Sequence, residues 1–326
     1  MGPGERVLFL RYSALGDVIQ ASALARRIKD RFPGVLLTWL VASPLDDLVR
    51  GQPFVEEVLV WHRARGERGF FELIREVRRR KFSRMVSAQS SDRGALIAFF
   101  SGIPWKCGAH RHFSWVYSED LESFRGALAP VPLRGALSVP AEERPWVRDE
   151  LATLPLRRVG LAIGASKASK RWPEERWREV AQELSARGVG VVLLGAGAEE
   201  RRQGEAISRG LPRVKNAVDA YSLRRTLTMV GSLDALVGGD SGLLHMALAL
   251  GVPSVGLFGP SLPSQVSLEG VDRPLVADCP HRGCLRWECP MPCLDTIRAA
   301  AVLDALEDVE KGKVFPGAEA SGFSRP

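Results

Sequence analysis

Short runs of β-branched and aliphatic residues alternate with helical patterns almost from the start of the chain, and this alternation most constrains the fold. Residues 7–10 form such a run, and residues 18–32 then repeat apolar side chains at the three-to-four-residue spacing of one helical face. Similar strand candidates follow at residues 36–41, 57–61, 85–88 and 105–109. The pattern is typical of an α/β fold, in which helices wrap a parallel sheet.

The alternation stops once and then restarts, which predicts two domains. Residues 126–140 are rich in Pro, Gly and Ala, and new strand candidates follow at residues 159–163, 189–194, 214–218, 235–237 and 254–258. A chain of 326 residues also fits two domains of about 150 residues better than one. We expect a first domain over 1–150, a second over 151–312 whose last helix could pack back on the first, and a flexible tail over 313–326.

The composition is that of a globular protein, with 45% hydrophobic and 25% charged residues. No run approaches the roughly 20 apolar residues that a membrane-spanning helix needs, and the N-terminus enters a strand pattern without a signal-type apolar block. We therefore expect a cytoplasmic protein. The net charge of +7 favours an anionic partner, but nucleic acid is a poor fit because the aromatic residues do not interleave with the basic ones.

Four of the five cysteines cluster late in the chain, at Cys279, Cys284, Cys289 and Cys293. Five cysteines are too few for a disulfide framework in a chain of this length. The spacing lacks the paired Cys-x-x-Cys of common zinc sites. It favours reduced thiols packed in a loop and leaves a structural metal site as the alternative.

The run GGDSGLLH, from Gly238 to His245, lies where a strand candidate ends and a helix pattern begins. A strand that passes through glycines into a helix exposes the first free N–H groups of that helix, and these favour a phosphate. Gly242 would permit the close approach of a ligand. Asp240 and Ser241 are also ordinary helix-capping residues, and His245 could simply pack inside the helix, so single residues do not decide the role.

Two further loops follow strand candidates, at the edge where open α/β sheets place ligands. Residues 164–173 carry two lysines and an arginine that could pair with a diphosphate as it leaves a sugar, or could form a solvated basic loop. Residues 13–18 contain Asp17. This aspartate could accept the proton of an attacking hydroxyl, or could satisfy the dipole of the helix that follows.

Residues 195–200, GAGAEE, have Glu200 where a dinucleotide fingerprint needs its third glycine, so a nicotinamide enzyme is not expected. Glu199 could accept hydrogen bonds from ribose hydroxyls, or be an ordinary first-turn glutamate. No Asp-x-Asp metal pair occurs near these loops, so we expect no divalent ion or other cofactor to be required. The arginine-rich residues 75–84 form either a solvated helix face or a contact for an anionic lipid.

At these residues the chain resembles the heptosyltransferases of glycosyltransferase family 9, from residue 6 to about residue 300. The resemblance rests on RVLFLRYSALGDVIQASALARRIKDRFPG, SKASKRWPEERWREVAQELSARG, GGDSGLLHMALALGVPSVGLFGPS and CPHRGCLRWECPMPCLDTI. It implies an α/β fold of two Rossmann-like domains whose parallel sheets face a central cleft, the GT-B arrangement. The first domain would bind the acceptor and the second the nucleotide-sugar donor.

The resemblance also implies roles for individual residues. Asp17 would be the catalytic base, and Lys170 would lie at the donor phosphates. The donor would further contact Ser166, Glu199, Tyr221, Asp240, Ser241, Gly242 and His245, and the acceptor would contact Ser13, Gln89 and Arg93. The family often has QGLxRS where this chain has QSSDRG, so Gln89 and Arg93 are retained while the glycine after the glutamine and the closing serine are changed.

The implied activity is inverting transfer of a heptose from ADP-heptose to the inner core of lipopolysaccharide. The implied partners are the nucleotide sugar and an anionic, lipid-linked saccharide, with peripheral contact to the inner face of the cytoplasmic membrane. Two alternatives stay open. A non-hydrolysing sugar-nucleotide epimerase has the same double-Rossmann layout, and a non-catalytic protein could bind a nucleotide sugar without turnover.

Overall fold

The computed structural model describes residues 1–128, 132–268, 270–286, 289 and 293–312. The chain divides into two compact units, Met1–Pro140 and Ala141–Pro326. The division falls where the alternation of strand and helix patterns stops, so the charged helix that follows lies in the second unit. The tail expected over residues 313–326 lies outside the described residues.

The first unit contains a parallel sheet with the strand order β3-β2-β1-β4-β5-β6. Its strands are β1 (Arg6–Leu10), β2 (Leu36–Ala42), β3 (Glu57–Trp61), β4 (Arg84–Ser87), β5 (Trp105–Gly108) and β6 (Glu119–Asp120). Its helices are α1 (Leu15–Arg31), α2 (Asp46–Val49), α3 (Gly66–Arg79), α4 (Asp92–Phe100) and α5 (Leu121–Ala127). Because β2 and β5 lie on opposite sides of the β1–β4 pair, the winding direction switches between β1 and β4.

Burial explains why these segments read as continuous apolar runs. Residues 7–10 of β1 are fully buried, and Phe9 packs edge-to-face on Trp39 of β2 at a ring-centroid distance of 4.7 Å. A parallel sheet covered on both faces demands this composition. Helix α1 buries Leu24 and Ile28, and it has an acidic residue in its first turn and basic residues in its last, as the helix dipole favours.

The second unit repeats the architecture with the strand order β12-β11-β10-β7-β8-β9. Its strands are β7 (Arg158–Ala162), β8 (Gly190–Leu194), β9 (Val214–Asn216), β10 (Ala235–Gly239), β11 (Ser254–Phe258) and β12 (Arg273–Val276). Its helices are α6 (Arg144–Glu150), α7 (Glu174–Ala186), α8 (Ala198–Ser208), α9 (Leu223–Val230), α10 (Gly242–Leu250) and α11 (Ala299–Glu310). Here the winding direction switches between β7 and β10.

The last helix, α11, belongs to the core of the second unit. It packs on α7 and on the strands β10, β11 and β12. Val302, Leu306 and Val309 supply its buried face and share one apolar cluster with residues of the central strands. The indole N–H of Trp172 donates to the carbonyl of Ile297, at 3.0 Å, and so ties the segment before α11 to the loop that follows β7.

Two strands were not expected from the sequence. Both β6 and β12 are edge strands, two and four residues long, and neither is a buried aliphatic run. Pro274 lies within β12, a position that an edge strand tolerates because one side of its backbone needs no ladder partner. Within the described residues, every helix is too short or too polar to span a bilayer.

Candidate active site

The carboxyl end of the second sheet brings together Lys170, Asp240 and Ser261, which are far apart in sequence. Asp240 directly follows β10, Lys170 ends a short 3₁₀ helix after β7, and Ser261 follows β11. The Lys170 ammonium donates to Asp240 Oδ2 at 2.5 Å, and the Ser261 hydroxyl donates to the same oxygen at 2.8 Å. These three strands are neighbours at the switch point, where open α/β sheets bind ligands.

This ion pair is largely buried. The side chains of Lys170 and Asp240 are 14% and 7% exposed. A carboxylate that leaves water must be compensated by charge and hydrogen bonds, and Lys170 and Ser261 supply both. Asp240 therefore fixes the position of the Lys170 ammonium, which offers three donors.

Helix α10 begins beside this pair. Ser241 is its N-cap residue, yet its hydroxyl makes no capping bond, is buried, and has no hydrogen-bond partner among the described residues. Such a hydroxyl carries a desolvation cost that a bound ligand can relieve. Gly242 opens the helix, and His245 lies buried in its first turn with Nε2 at 3.9 Å from Asp240 Oδ1. The free N–H groups of the first turn add a partial positive charge.

The loop after β7 presents Ser166 and Lys170 differently. Ser166 is exposed, whereas Lys170 is largely buried. Two residues after Lys170, Trp172 is only 2% exposed and packs edge-to-face on Trp177 at 4.8 Å. This anchor holds the end of the loop, so Lys170 is the better positioned of the two donor-site candidates.

The two glutamates at the start of α8 point in different directions. Glu199 is exposed and pairs with Arg202 on the surface of the helix. The Glu200 carboxylate instead accepts the Ala196 N–H at 2.7 Å and fills the space where a Cβ at Gly164 would lie. Glu200 thus contacts the loops after β7 and β8, a role that the sequence pattern did not assign to it.

Tyr221, after β9, is held by the helix α6. Its hydroxyl donates to Glu150 Oε1 at 2.5 Å, and its ring packs edge-to-face on Trp146 at 5.1 Å. Burial, with the Glu150 hydrogen bond, raises the pKa of Tyr221, while hydrogen bonds from Lys215 and Tyr221 lower the pKa of Glu150. The phenol is therefore neutral at physiological pH and already has a partner.

In the first unit, Asp17 lies in the first turn of α1, after β1. Its Oδ2 accepts a bond from the Ala14 N–H at 3.0 Å and lies 2.6 Å from the Arg11 guanidinium. The side chain of Asp17 is 46% exposed and that of Arg11 only 15%. Arg11, which the sequence did not single out, also donates to the carbonyl of Ala88, so a buried cation orients an accessible carboxylate.

Gln89 joins the two loops at the switch point of the first sheet. It is 8% exposed, accepts the Tyr12 N–H at 3.3 Å and donates to the Ser91 hydroxyl at 3.2 Å. Its polar groups therefore hold the loops after β1 and β4 together. Ser13 lies half-buried in the first of these loops, and Arg93 is exposed on α4.

A cavity of about 330 Å³ lies at the carboxyl ends of β4 and β5, with Ser90, His110, Arg111, Tyr117 and Asp120 among its lining. The Tyr117 ring occupies the space where a Cβ at Gly108 would lie, and burial raises the pKa of its hydroxyl. Apart from Ser90, in the run QSSDRG, the lining comes from the end of β5, the short strand β6 and the segment between them, for which the sequence gave no motif.

The late cysteines are unpaired thiols. Cys279 is buried, and Cys284, Cys289 and Cys293 are half-buried. Burial raises the pKa of Cys293, and the other three sulfurs raise it further because they lie close by. Within the described residues, which omit 287–288 and 290–292 of this segment, no three His, Cys, Asp or Glu side chains are grouped to hold a metal ion.

Comparison with known proteins shows similarity to one family. Residues 139–294 match the family model of Glycosyltransferase family 9 (heptosyltransferase). Lipopolysaccharide heptosyltransferase 2 of Escherichia coli K12 is 25% identical over 292 residues, which cover 79% of this chain and 84% of that protein.

Solved structures share the fold. A family 9 glycosyl transferase from Veillonella parvula DSM 2008 has a TM-score of 0.82 at 19% identity, covering 96% of this chain and 99% of that one. The E. coli ADP-heptose lps heptosyltransferase II has a TM-score of 0.76 at 21% identity, covering 95% and 99%. The two six-stranded parallel sheets, the GT-B type of fold and the matched segment 139–294 lead to one conclusion: this chain is a glycosyltransferase similar to the heptosyltransferases of glycosyltransferase family 9.

Proposed function

We propose that the protein transfers a heptose from ADP-heptose to the inner core of lipopolysaccharide, with inversion at the anomeric carbon. The observation that carries the proposal is the buried pair of Lys170 and Asp240 beside the unpartnered Ser241 hydroxyl, at the start of α10. The donor and acceptor classes follow from the relatives, whose names refer to ADP-heptose and to lipopolysaccharide.

The donor would lie on the second unit. A diphosphate gains negative charge as it leaves the sugar, and Lys170, with the first N–H groups of α10, would stabilise that charge. The phosphates and sugar would contact Ser166, Ser241, Gly242 and His245. Tyr221 would lie near the adenine ring of the donor. Since the charge is met by these groups, we propose that transfer requires no cofactor.

The acidic pair Glu199 and Glu200 would bind the ribose. The family resemblance assigns this role to Glu199. Glu200 lies nearer to the loops after β7 and β8, where the nucleoside would have to sit. We propose that Glu200 contributes the stronger contact.

Asp17 would act as the base. Its carboxylate takes the proton of an acceptor hydroxyl while that oxygen bonds to the anomeric carbon and the bond to the diphosphate breaks, releasing ADP. One displacement with one base inverts the anomeric configuration. Arg11 would orient Asp17, and Ser13, Gln89 and Arg93 would position the acceptor. A lipid-linked acceptor places the enzyme at the cytoplasmic face of the membrane, as a peripheral protein.

The test uses the full chain and measures both donor binding and catalytic turnover. ADP and ADP-heptose should raise the melting temperature more than UDP or GDP compounds do, because a ligand that binds the native state stabilises it. With ADP-heptose and a heptose-deficient lipopolysaccharide core, ADP release should require both substrates, and the product should carry the inverted linkage.

Other outcomes reject the proposal in distinct ways. Isomerised donor formed without acceptor would indicate an epimerase. Tight donor binding without transfer to any core acceptor would indicate a binding protein. Preference for UDP or GDP compounds would reject the donor class while leaving glycosyl transfer intact.

A further inference from the structure

The helix α4 and the 3₁₀ helix Ser114–Val116 carry an exposed apolar surface in the first unit. Its members, here called the aromatic patch, are Leu96, Phe99, Phe100, Phe113 and Trp115, each between 37% and 67% exposed. Single exposed apolar residues are common, but a contiguous patch indicates an interaction surface.

The patch is built rather than accidental. The Phe99 ring packs edge-to-face on Phe100, at 5.0 Å, and on Trp115, at 5.6 Å. These contacts fix three aromatic rings against each other at the surface. A pre-ordered surface loses less side-chain entropy when it binds a partner.

The sequence of α4 explains why the patch is unpartnered within its own unit. Ile97 and Ala98 are fully buried on the inner face, while Leu96, Phe99 and Phe100 lie on the outer one. A helix that is apolar on both faces is normally covered on both. The outer face of α4 therefore lacks the cover that its composition calls for.

Basic side chains lie near residues that adjoin the aromatic patch in sequence. Arg78 and Lys81 line a cavity of about 330 Å³ together with Ser101 and Gly102, which directly follow α4. Arg111 is exposed two residues before Phe113. In the part of the chain that the structure describes, none of these three cations has an ion-pair partner, whereas nearby Asp92 is engaged by His110 at 3.0 Å.

We propose that the aromatic patch, with Arg78, Lys81 and Arg111, docks the enzyme on a bilayer of anionic phospholipid. Aromatic rings settle at the headgroup level of a bilayer, and adjacent basic residues bind the lipid phosphates. A neutral protein partner would not need the three cations. The purpose of this docking rests on the proposed function, because a lipid-linked acceptor lies in such a bilayer.

The experiment measures vesicle binding of the full chain without donor or acceptor, so its failure is distinct from a failure of transfer. The protein should sediment with phosphatidylglycerol-containing vesicles and not with pure phosphatidylcholine vesicles. The variant Phe99→Ser/Trp115→Ser should bind at least about tenfold more weakly. Arg78→Glu and Lys81→Glu should each weaken binding about fivefold, and added salt should weaken the wild type.

Leu156→Ser is the matched control, since Leu156 is an apolar residue of the second unit and 89% exposed. It should bind vesicles like the wild type, and every variant should keep the wild-type melting temperature and stabilisation by ADP. Equal binding of the wild type and the Phe99/Trp115 variant overturns the proposal, as does equal binding to neutral vesicles. A wild-type dimer that becomes monomeric in this variant, without wild-type vesicle binding, would instead assign the patch to a second copy.

Discussion

Asp17 and Asp240 each lie at the switch point of one of two sheets of the same design, Asp17 after the first strand of its unit, β1, and Asp240 after the fourth strand of its unit, β10. Each follows a central strand at the point where the winding direction switches, and each pairs with a basic side chain. Their surroundings are opposite. Asp17 is 46% exposed and paired with a buried arginine, whereas Asp240 is 7% exposed and bonded to both Lys170 and Ser261.

This difference suits Asp17 to the reacting role that we propose for it and Asp240 to a supporting one. A general base must reach the proton of its substrate, and only Asp17 presents a carboxylate that an acceptor could approach. Asp240 has its Oδ2 engaged twice and is shielded from water. We infer that Asp240 positions Lys170, and that an aspartate beside the switch point has a different role in each of the two units.

The largest expected effect is on turnover in Asp17→Asn. The amide cannot take up the proton of the hydroxyl group on the acceptor substrate, so kcat should fall by roughly 10²- to 10⁴-fold. Stabilisation by ADP-heptose should be retained because the proposed donor contacts lie on the second unit. Stopped assays of ADP release and thermal melts with donor measure the two quantities.

Asp240→Asn is the contrasting variant. It removes the charge that holds Lys170, so donor stabilisation and the melting temperature should both fall. Normal turnover in Asp17→Asn, or unchanged donor binding in Asp240→Asn, would abolish the distinction between the two aspartates.

Much of the fold could be predicted because buried parallel strands leave a clear mark. The strand candidates at residues 57–61 and 254–258 coincide with β3 and β11, and the others differ from the structure by a few residues at their ends. The edge strands β6 and β12 left no such mark, because short edges need neither length nor an apolar run.

The candidate site was less predictable, because it is formed by residues that are far apart in sequence and become neighbours only in the folded chain. Lys170 and Asp240 are 70 positions apart, and only the strand order makes them neighbours. Neighbouring positions on a helix point about 100° apart, so adjacent glutamates have different surroundings. For this reason the motif alone could not distinguish Glu199 from Glu200, and the ion pair of Arg11 with Asp17 was missed.

An intermediate effect is expected for Lys170→Met, which tests the second unit alone. Loss of the ammonium should lower kcat/KM by about 10²-fold, because it removes stabilisation of the leaving diphosphate. It also leaves the Asp240 carboxylate buried with Ser261 as a remaining partner, which should cost about 3 kcal/mol of unfolding free energy. Denaturant unfolding and steady-state kinetics measure these effects.

Ser261→Ala is the matched control for that variant, because it removes one hydrogen bond to Asp240 and leaves the ion pair. The expected loss of stability is about 1 kcal/mol, with turnover close to the wild type. Equal losses in the two variants would mean that charge is unimportant at Asp240.

The smallest effect is expected from substitutions of the acidic pair Glu199 and Glu200 of α8. They test which of the two glutamates binds the ribose of the donor. Glu200→Gln should raise the KM for ADP-heptose about five- to tenfold, because a carboxylate accepts ribose hydroxyls more strongly than an amide does. Glu199→Gln should stay within about twofold of the wild type, since Glu199 is exposed and its surface pair with Arg202 contributes little. The KM for the acceptor should not change in either variant. If Glu199→Gln has the larger effect, the family resemblance identifies the ribose ligand better than the geometry does, and α8 must reorient when the donor binds.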